Sequence, residues 1–378
     1  MAGGAAPVIV WYRLDLRLED HPALAHAAAG GRPVIPVFIA SDEDGPWAPG
    51  GAARWWLHHT LAALERDLAG LGLSLVLRRG AEQEVLGRLV AETGAATVCF
   101  NRRSDPPGRG RDLAIAAALA ASGVQVLDFP ASLLWEPDAV LNRQGGPYKV
   151  FTPFYRAWKD VGWPKPVARP RAIDWVDGVS SEDPPEAPDT DAVLPEPGEA
   201  AATRTLDNFL RSRVEDYHER RNEPGADATS RLSPYLKWGC IHPRQILGRL
   251  GRSKGEESFR SEIAWREFYA DVLLDRPDTV RQAYQEKMRR MRLDTGATAD
   301  DRFAAWAEGR TGYPLVDAGM RQLHREGWMH NRARLLTGSF LTKHLGVDWR
   351  RGAAHFLEWL VDGDIANNSA NWQWVAGT

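Results

Sequence analysis

The 378-residue sequence has little cysteine, no long hydrophobic run and no leader-like N-terminus. Its two cysteines, Cys99 and Cys240, cannot form a disulfide framework, and their spacing matches no metal site. No segment approaches the roughly 18 consecutive apolar residues of a membrane span. The first residues lack the basic stretch that begins a signal peptide. These absences exclude disulfide-rich and membrane-spanning proteins, and they predict a soluble cytoplasmic protein without a metal site.

A glycine-rich dinucleotide fingerprint is also missing. After the first apolar run, residues 12–17 read Tyr-Arg-Leu-Asp-Leu-Arg, where a nicotinamide-binding protein would carry G-x-G-x-x-G. A dehydrogenase is therefore not expected.

The first third of the chain alternates between short apolar runs and Ala/Leu/Glu/Arg-rich helical stretches. The apolar runs are residues 8–11, 34–39, 73–77, 96–100 and 124–129, and the helical stretches are 21–29, 51–69, 81–93 and 108–121. Continuous apolar strands that alternate with helices are typical of a parallel sheet covered on both faces. The sequence therefore predicts a doubly wound, Rossmann-like α/β domain with five parallel strands, which would bind ligands at the carboxyl ends of its strands.

Composition divides the chain into three parts: an α/β domain at 1–131, a connector at 132–203 and an all-helical domain at 204–378. In the connector, residues 133–163 are aromatic and loop-like. Residues 174–199 contain nine acidic and no basic side chains, which is typical of an exposed linker. Beyond residue 204, helical periodicity is interrupted only by Gly and Pro punctuation.

Charge differs modestly between the two halves. Residues 204–378 carry 28 basic and 24 acidic side chains, whereas the first 203 residues carry 19 basic and 26 acidic ones. This asymmetry permits a nucleic-acid surface on the C-terminal half but does not establish one.

Two segments near the C-terminus predict a ligand pocket. Residues 327–334 resemble a helix start, and Asn331, Arg334 and Leu335 would share one helical face. Residues 362–374 combine two carboxylates, several amides and two indoles, which suits the wall of a pocket for a large, flat, polar-edged ligand. The alternative is a helix C-terminus with turn-forming Asn residues and aromatics buried for packing.

Two further segments allow either a ligand site or ordinary structure. In residues 229–236, Ser233 as N-cap and Pro234 at the first helical position would begin a helix, and the hydroxyls with Arg231 would suit a phosphate. The alternative is simple capping beside a surface arginine. In residues 262–269, Glu262, Trp265, Arg266 and Tyr269 would share a helical face that suits a base-like ligand, or they belong to an amphipathic helix.

Four tryptophans beyond residue 340, Trp349, Trp359, Trp372 and Trp374, allow two interpretations. Closely spaced indoles can relay single electrons, but they are equally ordinary core aromatics. Without a cofactor, core packing is the expected role.

Taken together, these segments closely resemble the photolyase/cryptochrome flavoprotein family over nearly the whole chain. The shared motifs are residues 147–154, 229–236, 265–269, 312–314, 327–332 and 372–374. The resemblance is greatest to class I cyclobutane pyrimidine dimer photolyases. It implies an antenna-type α/β domain and an FAD-binding helical domain.

The resemblance also implies how FAD would be held, in a U-shaped conformation. The implied contacts are Tyr217, Thr229, Ser230, Arg231, Leu232 and Ser233 at the phosphates, Asp362, Gly363 and Asp364 near the flavin and ribityl groups, Arg334 as the ion-pair partner of Asp362, and Asn368 facing flavin N5. An Asn at that last position is typical of repair enzymes.

The implied activity is blue-light-driven repair of cyclobutane pyrimidine dimers in UV-damaged DNA by a monomeric protein. An electron passes from excited reduced FAD to a flipped-out dimer, the ring splits and the electron returns. Catalysis would involve Glu262 bonding the dimer, Trp265 and Trp374 stacking on it, and Asn368. DNA contacts would come from Arg221, Glu262, Trp265, Arg266, Tyr269, Asn331 and Arg332.

The electron-transfer and antenna groups depart from the family pattern or stay open. Trp372 and Trp349 match the electron-transfer chain of the family, but residues 288–302 lack its distal tryptophan. The terminal electron donor would therefore be Trp306 or a tyrosine. A second, antenna chromophore is expected in the cleft of the sheet, with Arg54 as the candidate contact. Folate, deazaflavin and flavin all remain open.

Other functions of the same family remain as alternatives. A cryptochrome-type photoreceptor without repair activity is the main one. A (6-4) photolyase is disfavoured by Asn331 and by Leu335, which stands where many dimer-repair enzymes have Met. Because family members continue past residue 378, a flavin-binding protein that repairs nothing is the third.

Overall fold

The computed structural model describes residues 5–45, 48–130 and 133–378, so the predicted boundary between residues 131 and 132 lies outside it. The α/β part contains β1 Val8–Tyr12, α1 Pro22–Ala29, β2 Val34–Ala40, α2 Gly51–Ala69, β3 Val76–Arg79, α3 Glu82–Thr93, β4 Thr97–Asn101, α4 Pro106–Ala121 and β5 Gln125–Phe129. The rest of the described chain contains α5 Phe151–Val161, α6 Glu199–Ser212, α7 Tyr217–Arg220, α8 Ser233–Lys237, α9 Pro243–Leu247, α10 Lys254–Asp275, α11 Ala297–Ala307, α12 Pro314–Glu326, α13 Asn331–Ser339, α14 Trp349–Trp359 and α15 Ile365–Ala376. Pro277–Val280 and Glu286–Arg290 are 3₁₀ turns, and Phe340–His344 is a π-helical turn.

The five strands form one parallel sheet in the order β3-β2-β1-β4-β5. The central strand β1 is buried along its whole length, which requires the continuous apolar sequence that it has. This confirms the predicted doubly wound fold. The strand order reverses between β1 and β4, so that is where such a sheet offers a ligand crevice.

The two faces of the sheet belong to different cores. Ile9 and Trp11 pack into a core formed by α3, α4 and the sheet, against which Trp175, Val176 and Val179 of the connector also pack. Val8, Val10 and Tyr12 pack into a larger core that continues into the helical part through residues such as Phe209. The helical part therefore packs directly on the sheet through a shared core, and the linker is not its sole connection to the sheet.

The prediction that residues 133–163 are loop-like is wrong for eleven of them, because α5 forms there. Phe154 and Trp158 are four residues apart and almost fully buried, so they form an apolar stripe along the helix. The segment is rich in aromatic residues and resembles a loop, and its Pro153 lies in the first helical turn, where a missing backbone N–H costs little.

The acidic linker is irregular, as predicted, but it is held against the sheet. Its Ser181 and Glu182 hydrogen-bond the backbone of Leu77 in β3. Since β3 is an edge strand, the linker covers one of the exposed backbone edges of the sheet. Helix α6 begins at Glu199, within the predicted connector.

The loop after β1 fastens the two parts together. Backbone N–H groups of Leu18 and Glu19 donate to the Glu199 carboxylate, both at 2.8 Å. Asp20 is fully buried and pairs with Arg244 at 2.9 Å. Within the described part of the chain, no helix is long and apolar enough to cross a membrane.

Candidate functional site

A cleft opens in the helical part between α13, α14 and α15. It is lined by Asn331, Arg334, Leu335, Phe356, Leu360, Asp362, Gly363, Asp364, Asn367, Asn368, Asn371, Trp372 and Val375. The predicted common face of Asn331, Arg334 and Leu335 is thus present. The cleft combines one cation, two carboxylates and several amides with apolar walls, as a ligand pocket does.

The Asn-rich segment lines the cleft, as the pocket interpretation predicted, but it forms most of helix α15, which corrects the alternative of a helix C-terminus with turn-forming Asn residues. Asp364 caps α15 by accepting from Asn367 N at 2.8 Å. Asn368 donates from Nδ2 to Ala353 O at 3.0 Å, which fixes its side chain between α14 and α15. The amides therefore form one polar stripe on a helix whose other face is core.

An ion pair lies on the floor of this cleft. Arg334 Nη2 is 2.8 Å from Asp362 Oδ2, so the expected pairing of these residues is present. Asp362 is buried, and among the described residues its Oδ1 has no hydrogen-bond partner. A buried carboxylate oxygen without a partner is costly, so this atom is available to a bound ligand.

His330 lies at the N-cap of α13 and was missed in the sequence. Its Nδ1 accepts from Arg332 N and so caps α13. Burial, followed by the positive charge of Arg332 and other arginines, lowers the pKa of His330, so the ring is neutral and its proton is on Nε2. That Nε2 is also buried without a partner in the described part of the chain.

The segment 229–233 forms a strained loop before a short helix. Arg231 has a φ of 52°, a left-handed conformation that is uncommon for a residue with a side chain and often marks a functional loop. Its guanidinium covers the Trp328 ring at 4.4 Å and pairs with Glu326. Ser233 is the first residue of α8 and not its N-cap, and its Oγ accepts from Trp328 Nε1. Any phosphate contact of this loop would therefore come from backbone and hydroxyl groups.

Helix α10 brings together three of the four residues predicted to share a face. Glu262 is 2.5 Å from Arg221, and the Trp265 and Tyr269 rings are 5.2 Å apart. Arg221 also lies over the Tyr217 ring. Burial and the nearby Glu262 carboxylate raise the pKa of Tyr217 far above its usual value, so its hydroxyl keeps its proton.

Arg266 lies apart from that group. It donates to Leu236 O and lines a second cleft, between the sheet and the helical part. Arg103 and Asp105, which follow β4, and Lys237 of α8 also line it. Burial lowers the pKa of Lys237. The charged sequence after β4 was the available signal for this cleft, because ligands of parallel sheets bind beyond the carboxyl ends of strands.

The remaining predicted residues lie on the surface. Asn331 and Arg332 are exposed, and Arg332 donates to Asn222 Oδ1. Trp374 is 71% exposed near the end of α15, which packs on α10. Arg54 lies in the first turn of α2 and donates to Pro49 O just before that helix. It is not among the residues that line the second cleft, between the sheet and the helical part.

Trp372 occupies a slot made by two glycines. A Cβ placed on Gly352 would approach its ring to 2.2 Å, and one on Gly338 to 3.4 Å. The Trp372 ring centroid is 6.2 Å from that of Trp306. Trp349 is buried in the same core. Trp306 is thus the indole next to Trp372, and Trp372 also lines the main cleft.

The residues of the main cleft fit FAD. The unpartnered acceptor on Asp362 and the amides of α15 match the mixed polar edge of an isoalloxazine.

Comparison with known families gives two matches. The family described as DNA photolyase matches residues 8–171, and the FAD binding domain of DNA photolyase matches residues 259–378. The helical part therefore contains an FAD-binding domain.

Individual relatives agree with these matches. A deoxyribodipyrimidine photo-lyase of Agrobacterium fabrum is 43% identical over 99% of this chain and 80% of its own length. Cryptochrome-2 of Arabidopsis thaliana is 34% identical over 98% of this chain and 65% of its own length.

Solved structures show the same relationship. A bacterial class III photolyase from Agrobacterium tumefaciens superposes with a TM-score of 0.93 and 40% identity, covering 100% of this chain and 80% of its own. An archaeal photolyase from Sulfolobus tokodaii with two FAD molecules has a TM-score of 0.85 and 29% identity, over 98% of this chain and 83% of its own.

Proposed function

The chain belongs to the photolyase/cryptochrome family, and on this premise we propose that it is a DNA photolyase that repairs cyclobutane pyrimidine dimers under blue light. The observation that carries the proposal is the pairing of the amide-lined cleft with the Glu262–Trp265 surface on the neighbouring helix α10. The cleft suits the flavin, and the surface suits a pyrimidine pair.

Reduced FAD, when bound, supplies an electron to the dimer on excitation and takes it back after the ring has opened, so no net oxidation occurs. The protein must therefore hold the cofactor and exclude water from it. Arg334 and Asp362 would hold the polar edge of the flavin, together with Asn368, whose side chain is fixed by Ala353 O. Phe356 and Leu360 supply the dry side of the cleft.

Glu262 and Arg221 provide the polar half of dimer recognition. The carboxylate accepts hydrogen bonds from imide N–H groups of the pyrimidines, and the guanidinium 2.5 Å away balances its charge. Arg221 also places a positive charge where the dimer becomes negative on receiving the electron.

Trp265 and Trp374 provide the apolar half. Base–aromatic stacking contributes about 1–3 kcal/mol per base, which helps offset the energy of extruding the dimer from the duplex. A dimer stacks poorly in DNA, so its extrusion costs less than that of normal bases, and this difference favours damaged sites. Asn331 and Arg332 lie exposed beside this surface and would contact the DNA backbone.

Trp372 and Trp306 form the proposed route by which external electrons reach the cofactor. Trp372 lines the flavin cleft, and Trp306 follows at 6.2 Å. Trp306 leads through His355, at 5.5 Å, to the partly exposed Trp359. This route replaces the missing distal tryptophan. Trp349 remains a candidate for a parallel branch.

The second cleft, between the sheet and the helical part, is a better candidate site for a second chromophore than the surroundings of Arg54. Arg103 and Lys237 approach there from both parts of the protein, whereas Arg54 lies outside it. The archaeal relative with two FAD molecules makes a flavin one of the open possibilities, together with folate and deazaflavin.

A cryptochrome-type photoreceptor is the second candidate function. The similarity to plant cryptochrome-2 extends over nearly the whole chain, so the fold alone does not separate the two functions. The presence or absence of dimer repair separates the two functions.

The test uses a dimer-containing oligothymidylate and a (6-4) photoproduct oligonucleotide under blue light, with the recovery of thymine absorbance as readout. Wild-type protein should restore the dimer and leave the (6-4) product unchanged. Glu262→Gln and Asn368→Asp should lower dimer repair at least tenfold. Asp275→Asn, an exposed carboxylate at the end of the same helix, is the matched control and should repair normally. Full repair by Glu262→Gln would contradict its assigned role.

A further inference from the structure

Helix α2 of the α/β part begins against helix α14, which forms one wall of the main cleft. Gly50, the N-cap of α2, approaches the backbone of α14 so closely that a Cβ placed on it would lie less than 3.0 Å from Leu357 O and Glu358 Cα. The Glu358 carboxylate accepts a hydrogen bond from Gly51 N at 2.9 Å. The first backbone donor of α2 is therefore capped by a residue from the other part of the protein.

The contact joins two helix ends of opposite polarity. Helix α2 presents its first N–H groups and the positive end of its dipole, and α14 presents its last carbonyls and the negative end. Leu357 O is one of these carbonyls, and Val361 N, which would bond it in a longer helix, donates to Gly327 O instead. The backbones can meet because residue 50 has no side chain.

The opposite face of α14 lines the main cleft. Phe356 and Leu360 are four residues apart and both line it, and Ala353 O holds the Asn368 side chain on the same side. Glu358 lies about 200° around the helix from Phe356, on the side of α2. Helix α14 is therefore held between α2 behind it and α15 in front of it.

The chain continues from this contact directly into the floor of the cleft. Leu360 follows Glu358 by two residues and Asp362 follows it by four. The connection is tight, since a Cβ on Gly363 would lie 3.2 Å from Leu360 O. A displacement of the end of α14 would therefore move Leu360 and Asp362 as well.

We propose that the docking of α2 on α14 positions Leu360 and Asp362 for FAD, so that the α/β part and the cofactor stabilise each other through this contact. Gly50 and Glu358 are positioning residues, because neither is among the described residues that line the cleft. The inference rests on the placement of FAD in the main cleft and not on dimer repair. By thermodynamic linkage, docking strengthens FAD binding by the same factor by which FAD strengthens docking.

The first experiment measures the FAD affinity of the whole apoprotein by fluorescence titration. Gly50→Ala should lower this affinity about tenfold, because the added methyl group meets backbone atoms that cannot rotate away. Gly87→Ala is the matched control. The same methyl group on helix α3 meets no atom within 4 Å, so this variant should bind FAD like wild type.

Glu358 gives a milder pair of variants. Glu358→Ala removes the acceptor of an exposed hydrogen bond and should lower FAD affinity about threefold. Glu358→Gln keeps an amide oxygen that can accept from Gly51 N, so it should restore most of the wild-type affinity. An equal loss in both variants would remove Glu358 from the assignment.

The second experiment measures the reverse effect by hydrogen exchange of the wild-type backbone amides with and without FAD. FAD should slow exchange in the first turn of α2, residues 51–54, about tenfold and leave α3 unchanged. A contact that only stabilised the fold would not respond to the cofactor.

Two results would overturn the proposal. One is wild-type FAD affinity in folded Gly50→Ala. The other is exchange in residues 51–54 that does not respond to FAD, which decides the question even if Gly50→Ala does not fold. Asp362→Ala in the same titration tests the premise separately. If it retains wild-type affinity, FAD does not lie on the cleft floor and this proposal falls with that placement, whereas dimer repair has its own assay.

Discussion

The central strand of the sheet and the wall of the main cleft differ in composition. In β1 every side chain is buried and none is charged, and both flanking strands pair with its backbone. The cleft wall instead carries a cation, two carboxylates and several amides. Both regions bury polar atoms that have no hydrogen-bond partner among the described residues, Trp11 Nε1 and Tyr12 Oη in β1 and Asp362 Oδ1 in the cleft, and of these Asp362 lines the space that a ligand would fill.

This difference in composition separates stability from function. A buried, apolar element contributes to the free energy of unfolding, and its loss affects the whole molecule. A polar wall that a ligand can reach contributes mainly to binding. Substitutions in the two regions should therefore have different effects.

Replacing Ile9 by Ala should destabilise the protein without altering its cofactor site. Ile9 is fully buried in the core between the sheet, α3 and α4, so the cavity should cost about 2–5 kcal/mol of the free energy of unfolding. Denaturant unfolding measures this loss. The folded fraction should still bind one FAD. A reduced FAD content per folded molecule would break the separation between the two regions.

Replacing Asp362 by Ala should have the opposite effects: FAD affinity should fall while the stability of the apoprotein stays nearly unchanged. It removes a charged partner of the flavin edge and leaves Arg334 without its carboxylate, so FAD affinity should fall by about 10²-fold. Fluorescence titration of FAD into apoprotein measures this change. Arg334 is partly exposed, so the apoprotein should unfold near the wild-type denaturant concentration. Retention of FAD by this variant would show that the cleft does not hold the flavin as proposed.

Replacing Trp306 by Phe should slow photoreduction of bound FAD severalfold and leave FAD content unchanged. The variant keeps an aromatic ring beside Trp372 but removes an easily oxidised indole. Absorbance changes of the flavin under blue light with an external reductant give the rate. Trp349→Phe tests the parallel branch in the same assay. An unchanged rate in Trp306→Phe would exclude the route through α11.

Replacing Asp271 by Asn should remove a modest pH dependence of stability. Burial raises the pKa of Asp271 and of Glu267, four residues earlier on α10, to about 7 in each case. A raised folded-state pKa adds stability at low pH that is lost as pH increases through about 7. Wild-type protein should therefore be more stable at pH 6 than at pH 8, by on the order of 1 kcal/mol.

Thermal unfolding at the two pH values measures that difference. Glu267 accepts from Leu134 N and Trp135 N, and these hydrogen bonds favour its ionised form, so the loss of stability on ionisation comes from the burial of the charge. The Asn variant should show a smaller difference between the two pH values. A wild-type protein that is equally stable at both would contradict the assignment.

Periodicity was sufficient for the sheet and insufficient for the connector. The helix expected at 51–69 has those same bounds as α2, because its apolar spacing and flanking glycines are unambiguous. Helix α5 was missed because its segment is rich in aromatic residues and resembles a loop, and only the packing of Phe154 and Trp158 on the core reveals it.

The candidate site shows a similar limit. The family resemblance implied the pairing of Arg334 with Asp362, and helical spacing placed Glu262 beside Trp265. It placed Arg266 with Glu262, but that arginine sits at the edge of the helical face, where the α/β part covers it. Lys237 and His330 were missed because their significance depends on burial between distant segments, which no local pattern contains.

The most direct test of the central claim is catalytic turnover on a cyclobutane dimer. Purified protein with reduced FAD is mixed with an excess of a dimer-containing oligothymidylate, and absorbance recovery is followed under blue light and in darkness. Each protein molecule should restore many dimers in the light and none in the dark. A protein that binds FAD and responds to light but restores no dimer would contradict the repair function and favour a photoreceptor.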